Sequence, residues 1–153
     1  MPSKAKRSRA TAGQPDEAQR ARHHQQTRRA HHAEVAEDYV EAIADLVAAR
    51  GEARTVEIAR RLGVTPVTVA KTLARLRRAG LVSQQPYRSV FLTERGMKMA
   101  AESKRRHQIV ANFLVALGVP SPVAQGDAEG IEHHVSAETL RAFDEYIRRV
   151  AGN

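Results

Sequence analysis

From about residue 34 onward, apolar residues recur every three or four positions, and the spacing changes to an alternating one only briefly, near residue 81. Val35, Tyr39, Val40, Ile43, Leu46 and Val47 define one face of a helix over about 34–50, with Gly51 as its stop. Asp38, Glu41 and Asp45 share the opposite face. A second helix is predicted over residues 55–62, with Thr55 as N-cap and Glu57 just inside it. Gly63, Val64 and Thr65 make a tight turn, and Pro66 opens a third helix that runs to about Ala79 and ends at Gly80. Residues 81–84 and 89–92 then read as two short strands around Gln85, Pro86, Tyr87 and Arg88. Thr93 and Glu94 cap a longer helix running towards Gly118, with room for a bend. Two helices follow. One opens near Ser121 and Pro122 and carries Glu129, Glu132 and His133; the other has Ser136 as N-cap and is expected to bury Leu140, Phe143, Ile147 and Val150.

Helix, glycine turn, second helix and hairpin together describe a winged helix-turn-helix, a DNA-reading architecture. The fold class is therefore mainly α, with a small β-hairpin wing, followed by a further α-helical domain. Three segments are expected: a basic arm over 1–33, disordered or partly helical; the winged helix-turn-helix over 34–95; and the helical domain over 96–153. In the third helix Val69, Leu73 and Leu76 should face the core. Its N-terminal end enters the major groove, so Thr65, Val67, Thr68 and Lys71 are the base-contact candidates. Arg54, Arg75, Arg78 and Arg88 are expected to contact phosphates, which fixes register without reading sequence.

Charge sharpens this picture by its placement. The net charge is +8, of which residues 1–33 contribute +6 through eight Lys/Arg against Asp16 and Glu17. Residues 51–107 hold 13 Lys/Arg against four Glu, a local +9, so the stretches on either side of the reader are acidic. A basic centre between acidic flanks suits a polyanion site beside a cation site. The absence of cysteine excludes disulfides, thiolate zinc sites and thiol nucleophiles. No apolar run approaches the roughly 20 residues that a bilayer span needs, so a soluble cytoplasmic protein without a membrane partner is expected. The paired histidines His23-His24 and His31-His32 sit in a polar tail and are read as incidental.

The acidic flanks hold the candidate chemistry. Asp38 and Glu41 lie three apart, and His107 sits between them and the Glu129, Glu132, His133 group. Acidic residues three apart usually line a wet helix face, and a lone histidine is usually a surface or capping residue. Two carboxylates and an imidazole on one helical turn are a stronger pattern, because they repel unless a cation neutralises them, and Gly130 and Ile131 offer no counter-charge. Two rival readings share these residues. One is a metal-independent winged-helix repressor with an acidic helix face. The other is a di-metal helical enzyme, which needs Glu-x-x-His on two helices, whereas Glu129 is followed three residues later by Glu132.

Several runs together resemble the diphtheria toxin repressor (DtxR) family, and within it the short manganese transport regulators. They are Glu37-Asp-Tyr-Val-Glu41; Gly63-Val-Thr-Pro66 with Val69-Ala-Lys71; Tyr87-Arg-Ser-Val-Phe-Leu-Thr93; Arg106-His107 with Asn112-Phe-Leu114; and Asp127-Ala-Glu-Gly-Ile-Glu-His-His134. The resemblance covers about residues 35–150. It implies that the second domain serves dimerisation and metal binding, and that Asp38, Glu41, His107, Glu129, Glu132 and His133 hold Mn²⁺, two ions per subunit, bridged by Glu41 and Glu132, with the Glu129 carbonyl as a further donor. His134 matches a family position outside the ligand set. The implied protein is no enzyme and takes no small-molecule substrate besides the metal ion. It is a metal-activated repressor of manganese uptake genes, a homodimer that binds double-stranded DNA at a palindromic operator. A donor set of carboxylates and imidazoles, with no sulfur, also suits Mn²⁺ on ligand chemistry.

Overall fold

The computed structural model describes residues 17–83 and 88–152, apart from the side chains of Gln19 and His23. Residues 1–16 of the basic arm and Gln85–Tyr87 of the expected wing turn lie outside the described residues. The chain separates into two compact units, residues 1–32 and 33–153.

Helix α1 spans Glu17–Arg50, so it begins well before the apolar pattern does. Residues 17–33 are mostly Ala, Gln, Arg and His with no Gly or Pro, a composition that favours helix without any apolar stripe to bury. Helix α2 spans Thr55–Leu62 and α3 spans Pro66–Arg78. The N-cap of α2 is Arg54 and not Thr55, because the Glu57 carboxylate accepts from the Arg54 backbone N–H at 3.3 Å and fixes the helix start one residue earlier. Gly63 ends α2 in the left-handed region at φ 66°, a conformation that a Cβ disfavours. Thr65 caps α3, its hydroxyl accepting from the Thr68 backbone N–H at 3.2 Å.

The wing is an antiparallel pair, β1 (Val82–Ser83) against β2 (Phe91–Leu92), in register Val82↔Leu92 and Ser83↔Phe91. Gln84, at the end of the first expected strand, also lies outside the described residues; regular pairing of the second strand is shorter than 89–92 because the Val90 N–H donates to the Ala53 carbonyl at 2.8 Å, tying the wing to the chain before α2 instead. One hydrophobic core serves this whole region. Tyr39, Val40, Ile43 and Leu46 of α1 pack with Ile58, Val69, Leu73, Leu76, Leu81, Val82 and Val90, nearly all completely buried.

Helix α4 spans Glu94–Ala116 as one continuous helix. Thr93 caps it and donates its hydroxyl to the Gly80 carbonyl at 2.7 Å, locking the end of α3 to the start of α4. At Gly96 a Cβ would come within 2.1 Å of the Leu81 carbonyl oxygen, so only glycine allows this approach of α4 to the wing. Helix α5 spans Ser121–Ile131, a 3-10 turn follows over Glu132–His134, and α6 spans Ala137–Ala151. The Glu129, Glu132, His133 group is therefore not on one continuous α-turn: the chain tightens at Glu132 before Val135 goes extended ahead of the α6 cap. The α6 stripe is not buried either. Leu140, Phe143 and Ile147 are half-buried and Val150 is exposed. Within the chain α6 rests chiefly on α4, where Phe143 stacks on Phe113 at 3.8 Å between ring centroids, and nothing among the described residues covers its other flank.

Candidate metal centre

The side chains singled out on the acidic flanks come together in unit 33–153 from four directions. Asp38 and Glu41 leave the middle of α1, His107 the middle of α4, Glu129 the last turn of α5, and Glu132 and His133 the 3-10 turn. Nδ1 of His107 lies 2.7 Å from a Glu132 oxygen and 3.6 Å from Glu129, and its Nε2 lies 2.7 Å from the Gln125 side-chain oxygen. Ligand atoms of His107, Glu129 and Glu132 all fall within 4.8 Å of one another. Across the centre, Nε2 of His133 is 3.4 Å from Asp38 and 3.7 Å from the second oxygen of Glu132. Glu41 and Glu129 line two adjoining-type hollows in common: one of about 440 Å³ that also holds Asp38 and His133, and one of about 420 Å³ that also holds His107.

The electrostatics are those of a site short of positive charge. Glu132 is 2 % exposed, and burial pushes its carboxyl up to about 7, with His107 opposing the shift and Glu41 adding to it. Burial also raises Asp38; His133 works against this, and Glu34, Glu41 and Glu129 reinforce it. Both histidines are raised although burial alone lowers them. For His107 the Gln125 oxygen and the Glu132 and Glu129 carboxylates prevail; for His133 the Glu37 hydrogen bond and the Asp38 and Glu132 charges do. Each imidazole has acceptors near both nitrogens, an arrangement that suits two N–H donors. One acceptor of the cluster stays unsatisfied. Oε1 of Glu41 is buried without any hydrogen-bond partner, an expensive arrangement for a carboxylate unless a cation meets it. The residues fit a divalent ion: hard oxygen and imidazole donors, a buried excess of carboxylate, and an orphaned oxygen facing the cluster's charge.

Two participants had no signal in the sequence pattern. Glu37 accepts from His133 Nδ1 at 2.8 Å and pairs with Arg106 at 2.7 Å, though His133 is 96 residues away. Gln125 holds His107 from α5. The only available cue for Glu37 was its place in the Glu37–Glu41 run. Asp45, on the same α1 face as Asp38 and Glu41, is instead engaged by Arg61 of α2 and by Lys104 of α4 at 3.6 Å. His134 is exposed, and so are His24, His31 and His32 in the arm.

On the reader, Val69, Leu73 and Leu76 of α3 are buried as expected, which turns Thr68, Lys71 and Arg78 outward, with Arg75 half-buried. Val67 is 65 % exposed at the N-terminal end of α3, an apolar side chain with no partner in the core. Thr65 is exposed but already serves as the cap, its hydroxyl 2.9 Å from that of Thr68. Arg54 is exposed and bound to Glu52 at 2.9 Å, and Glu52 in turn takes a 2.6 Å hydrogen bond from Ser89 at the base of the wing. Arg88 is exposed at the wing's edge.

Comparison with known proteins agrees with this layout. Residues 31–90 match the family described as iron dependent repressor, N-terminal DNA binding domain, and residues 93–152 match its metal binding and dimerisation domain. The chain is 58 % identical over 118 residues to the transcriptional regulator MntR of Escherichia coli O6:H1, covering 77 % of this chain and 76 % of that one. It is 33 % identical over 117 residues to the MntR of Lysinibacillus sphaericus, covering 76 % and 84 %. Among solved structures, a manganese-dependent transcriptional repressor in complex with manganese is 30 % identical with a TM-score of 0.65, over 73 % of this chain and 52 % of that one. The IdeR of T. acidophilum is 28 % identical with a TM-score of 0.63, over 71 % and 52 %. The chain thus spans about half the length of these solved relatives. With a winged reader, a helical metal-binding half and this degree of identity, the chain belongs to the MntR branch of the iron-dependent repressor (DtxR) family, whose members are metal-dependent, DNA-binding transcriptional regulators and not enzymes.

Proposed function

We propose that this protein is a Mn²⁺-activated repressor of manganese uptake genes that acts in the cytoplasm as a homodimer on a palindromic operator. Residues 34–95 are its reader and residues 96–153 its dimerisation and metal-binding part. The observation that carries the reading is the meeting of Asp38 and Glu41, on the helix that leads into the reader, with His107, Glu132 and His133 of the C-terminal helices. His107, Glu129 and Glu132 would hold one cation, Asp38 and His133 a second, and Glu41 and Glu132 both, which is two per subunit.

The ions would supply the positive charge that this cluster of carboxylates lacks. Glu132 and Asp38 then carry full negative charge at neutral pH, and α1 is held to α4 and the 3-10 turn by charge as well as by packing. Through Val40, Ile43 and Leu46, α1 is part of the reader's own core, so fixing α1 fixes α3. A dimer must hold two such α3 helices about 34 Å apart to read successive major grooves. An unpinned pair is competent only part of the time and binds correspondingly less tightly. Thr65, Val67, Thr68 and Lys71 would read bases, with the Val67 methyls suited to a thymine methyl; Arg54, Arg75, Arg78 and Arg88 would hold phosphates.

The test is operator binding with Mn²⁺ and in EDTA, for the parent chain and for Asp38→Ala and His133→Ala. Coupling of about 1–3 kcal/mol corresponds to operator affinity roughly 5- to 150-fold higher with metal, and both variants should lose that gain. Equal affinity in EDTA would favour the metal-independent winged-helix repressor.

A further inference from the structure

Every described side chain of the helical part of the basic arm, from Glu17 to Ala33, is exposed. Between Glu17 and Ala33 the sole carboxylate is Glu17, against Arg20, Arg22, Arg28 and Arg29. Helical side chains pair at three- and four-residue steps. Arg20 has Glu17 at such a step, but Arg22, Arg28 and Arg29 have neither Asp nor Glu three or four residues to either side. All four arginines are exposed. The segment also lacks every large apolar residue, so it offers no stripe for docking on another protein element or for lying in a lipid interface. What it offers is guanidinium, spread along the helix: Arg20 and Arg28 stand eight residues apart, Arg22 and Arg29 seven, which at 1.5 Å per residue is about 10–12 Å for each pair. Lys4, Lys6, Arg7 and Arg9 add four more cations in the sequence ahead of it.

We propose that the arm is a sequence-independent DNA clamp: its arginines bind phosphates of the duplex that the reader occupies, adding affinity and salt sensitivity while leaving sequence choice to α3. The proposal rests on the DNA-binding reading above. It assigns a polyanion partner because uncompensated guanidinium on a helix with no apolar face is complementary to phosphate and to little else. It assigns DNA in particular because the arm runs directly into the reader in the sequence, and this covalent link keeps it at high local concentration near any duplex the reader binds.

The experiment compares the full chain with its Arg20→Gln, Arg22→Gln, Arg28→Gln, Arg29→Gln variant, all at exposed positions, in the presence of Mn²⁺. Binding is measured from 50 to 200 mM salt on operator DNA, on an unrelated duplex of equal length, and on vesicles containing anionic phospholipid. With each phosphate contact worth about 0.9 in the slope of log K against log salt, removing four should flatten the slope by about 2–4 per chain on both duplexes. The ratio of operator to unrelated affinity should stay within about twofold, because phosphate contacts carry no sequence information. An unchanged slope, with the parent still binding the operator in a Mn²⁺-dependent way, overturns the clamp alone. Loss of vesicle binding without a change on DNA overturns it in favour of a membrane surface. A parent chain that binds no operator at all removes the underlying reading as well.

Discussion

The reader and the C-terminal helices bury themselves to different extents. Residues of the reader bring Val40, Ile43, Ile58, Val69, Leu76 and Val90 to essentially zero exposure around one core fed by α1, α2, α3, the wing and α4. The buried apolar cluster of the C-terminal half is far smaller, Val110, Ala111 and Ala128, and α6 has no buried residue. Its apolar side chains are present but uncovered: Val115, Leu117, Val123, Ile131 and Val150 are all exposed in the single chain. The reader is thus complete within one chain, whereas the C-terminal half has the composition of one side of an interface. That supports the proposed homodimer, and it means that the same kind of substitution should have different consequences in the two halves.

The largest effect is expected inside the reader. Leu76→Ala removes a fully buried side chain from a site walled by other elements, and should cost about 2–5 kcal/mol in chemical denaturation. Because that core lies within one chain, the loss should be the same at low and high protein concentration. A cost below 1 kcal/mol, or one that varies with concentration, would break the contrast between the halves.

Next in size is the link between them. Glu37→Gln keeps the shape of the side chain but removes the charge that holds His133 through Nδ1 and pairs with Arg106. Loss of such a supporting partner typically weakens metal binding about 10- to 100-fold. Isothermal titration with Mn²⁺ should show that loss with an unchanged thermal midpoint for the metal-free reader; undiminished affinity would leave Glu37 as an ordinary structural ion pair.

Acidity should act on the same link with a definite sign. Glu132 is pushed up to about 7 by burial, and His107 and His133 are raised by their acceptors, so protons compete with a cation for these groups more strongly than at ordinary side chains. A cation must displace any proton on its ligands, and for Glu132 that competition sets in near pH 7, so affinity falls as pH falls through 7. A group titrating near 7 costs roughly tenfold between pH 8 and pH 6 by itself. Mn²⁺ titrations at the two pH values should therefore differ by at least about tenfold in affinity, and a pH-independent affinity would count against Glu132 as a ligand.

These expectations also mark what could be read from the chain directly. Helical periodicity identified α1 through α3 and their buried faces, because Val69, Leu73 and Leu76 must share one side of a helix whatever surrounds them. Asp38, Glu41, His107, Glu129, Glu132 and His133 could be nominated together only through the family resemblance, since no local rule connects α1 to a turn some 95 residues later. Three features escaped for physical reasons. The 3-10 turn at Glu132 directly follows α5, and periodicity does not distinguish it from a last α-turn. Glu37 is defined by a partner 96 residues away. The burial expected for α6 assumed that one chain would cover both its flanks, and one chain does not.

In the C-terminal half itself the effect should be on assembly before stability. Leu117→Asp combined with Val123→Asp places charges on side chains that are about half-exposed in the single chain, so the monomer loses little. If these lie in the dimer contact, sedimentation should show dissociation at least about tenfold easier, the consequence of losing a single significant interface residue. Unchanged self-association would move the interface to the α6 flank.

The smallest effect concerns Asp45, which sequence spacing groups with Asp38 and Glu41. It borders both hollows of the candidate centre, so proximity alone would enrol it among the ligands. Its partners argue otherwise: Arg61 takes one oxygen and Lys104 lies 3.6 Å from the other, in an arrangement where all three side chains are at least 40 % exposed. Exposed pairs of this kind contribute about 0.2–1 kcal/mol. Asp45→Asn should therefore lower stability by less than about 1 kcal/mol and leave Mn²⁺ affinity within twofold of the parent, while Asp38→Asn, about two helical turns earlier on the same face, abolishes much of it. If Asp45→Asn weakened Mn²⁺ binding as strongly, the boundary of the cation site would have to be redrawn to include Asp45, and its Arg61 pair would tie α2 to the site through that ligand.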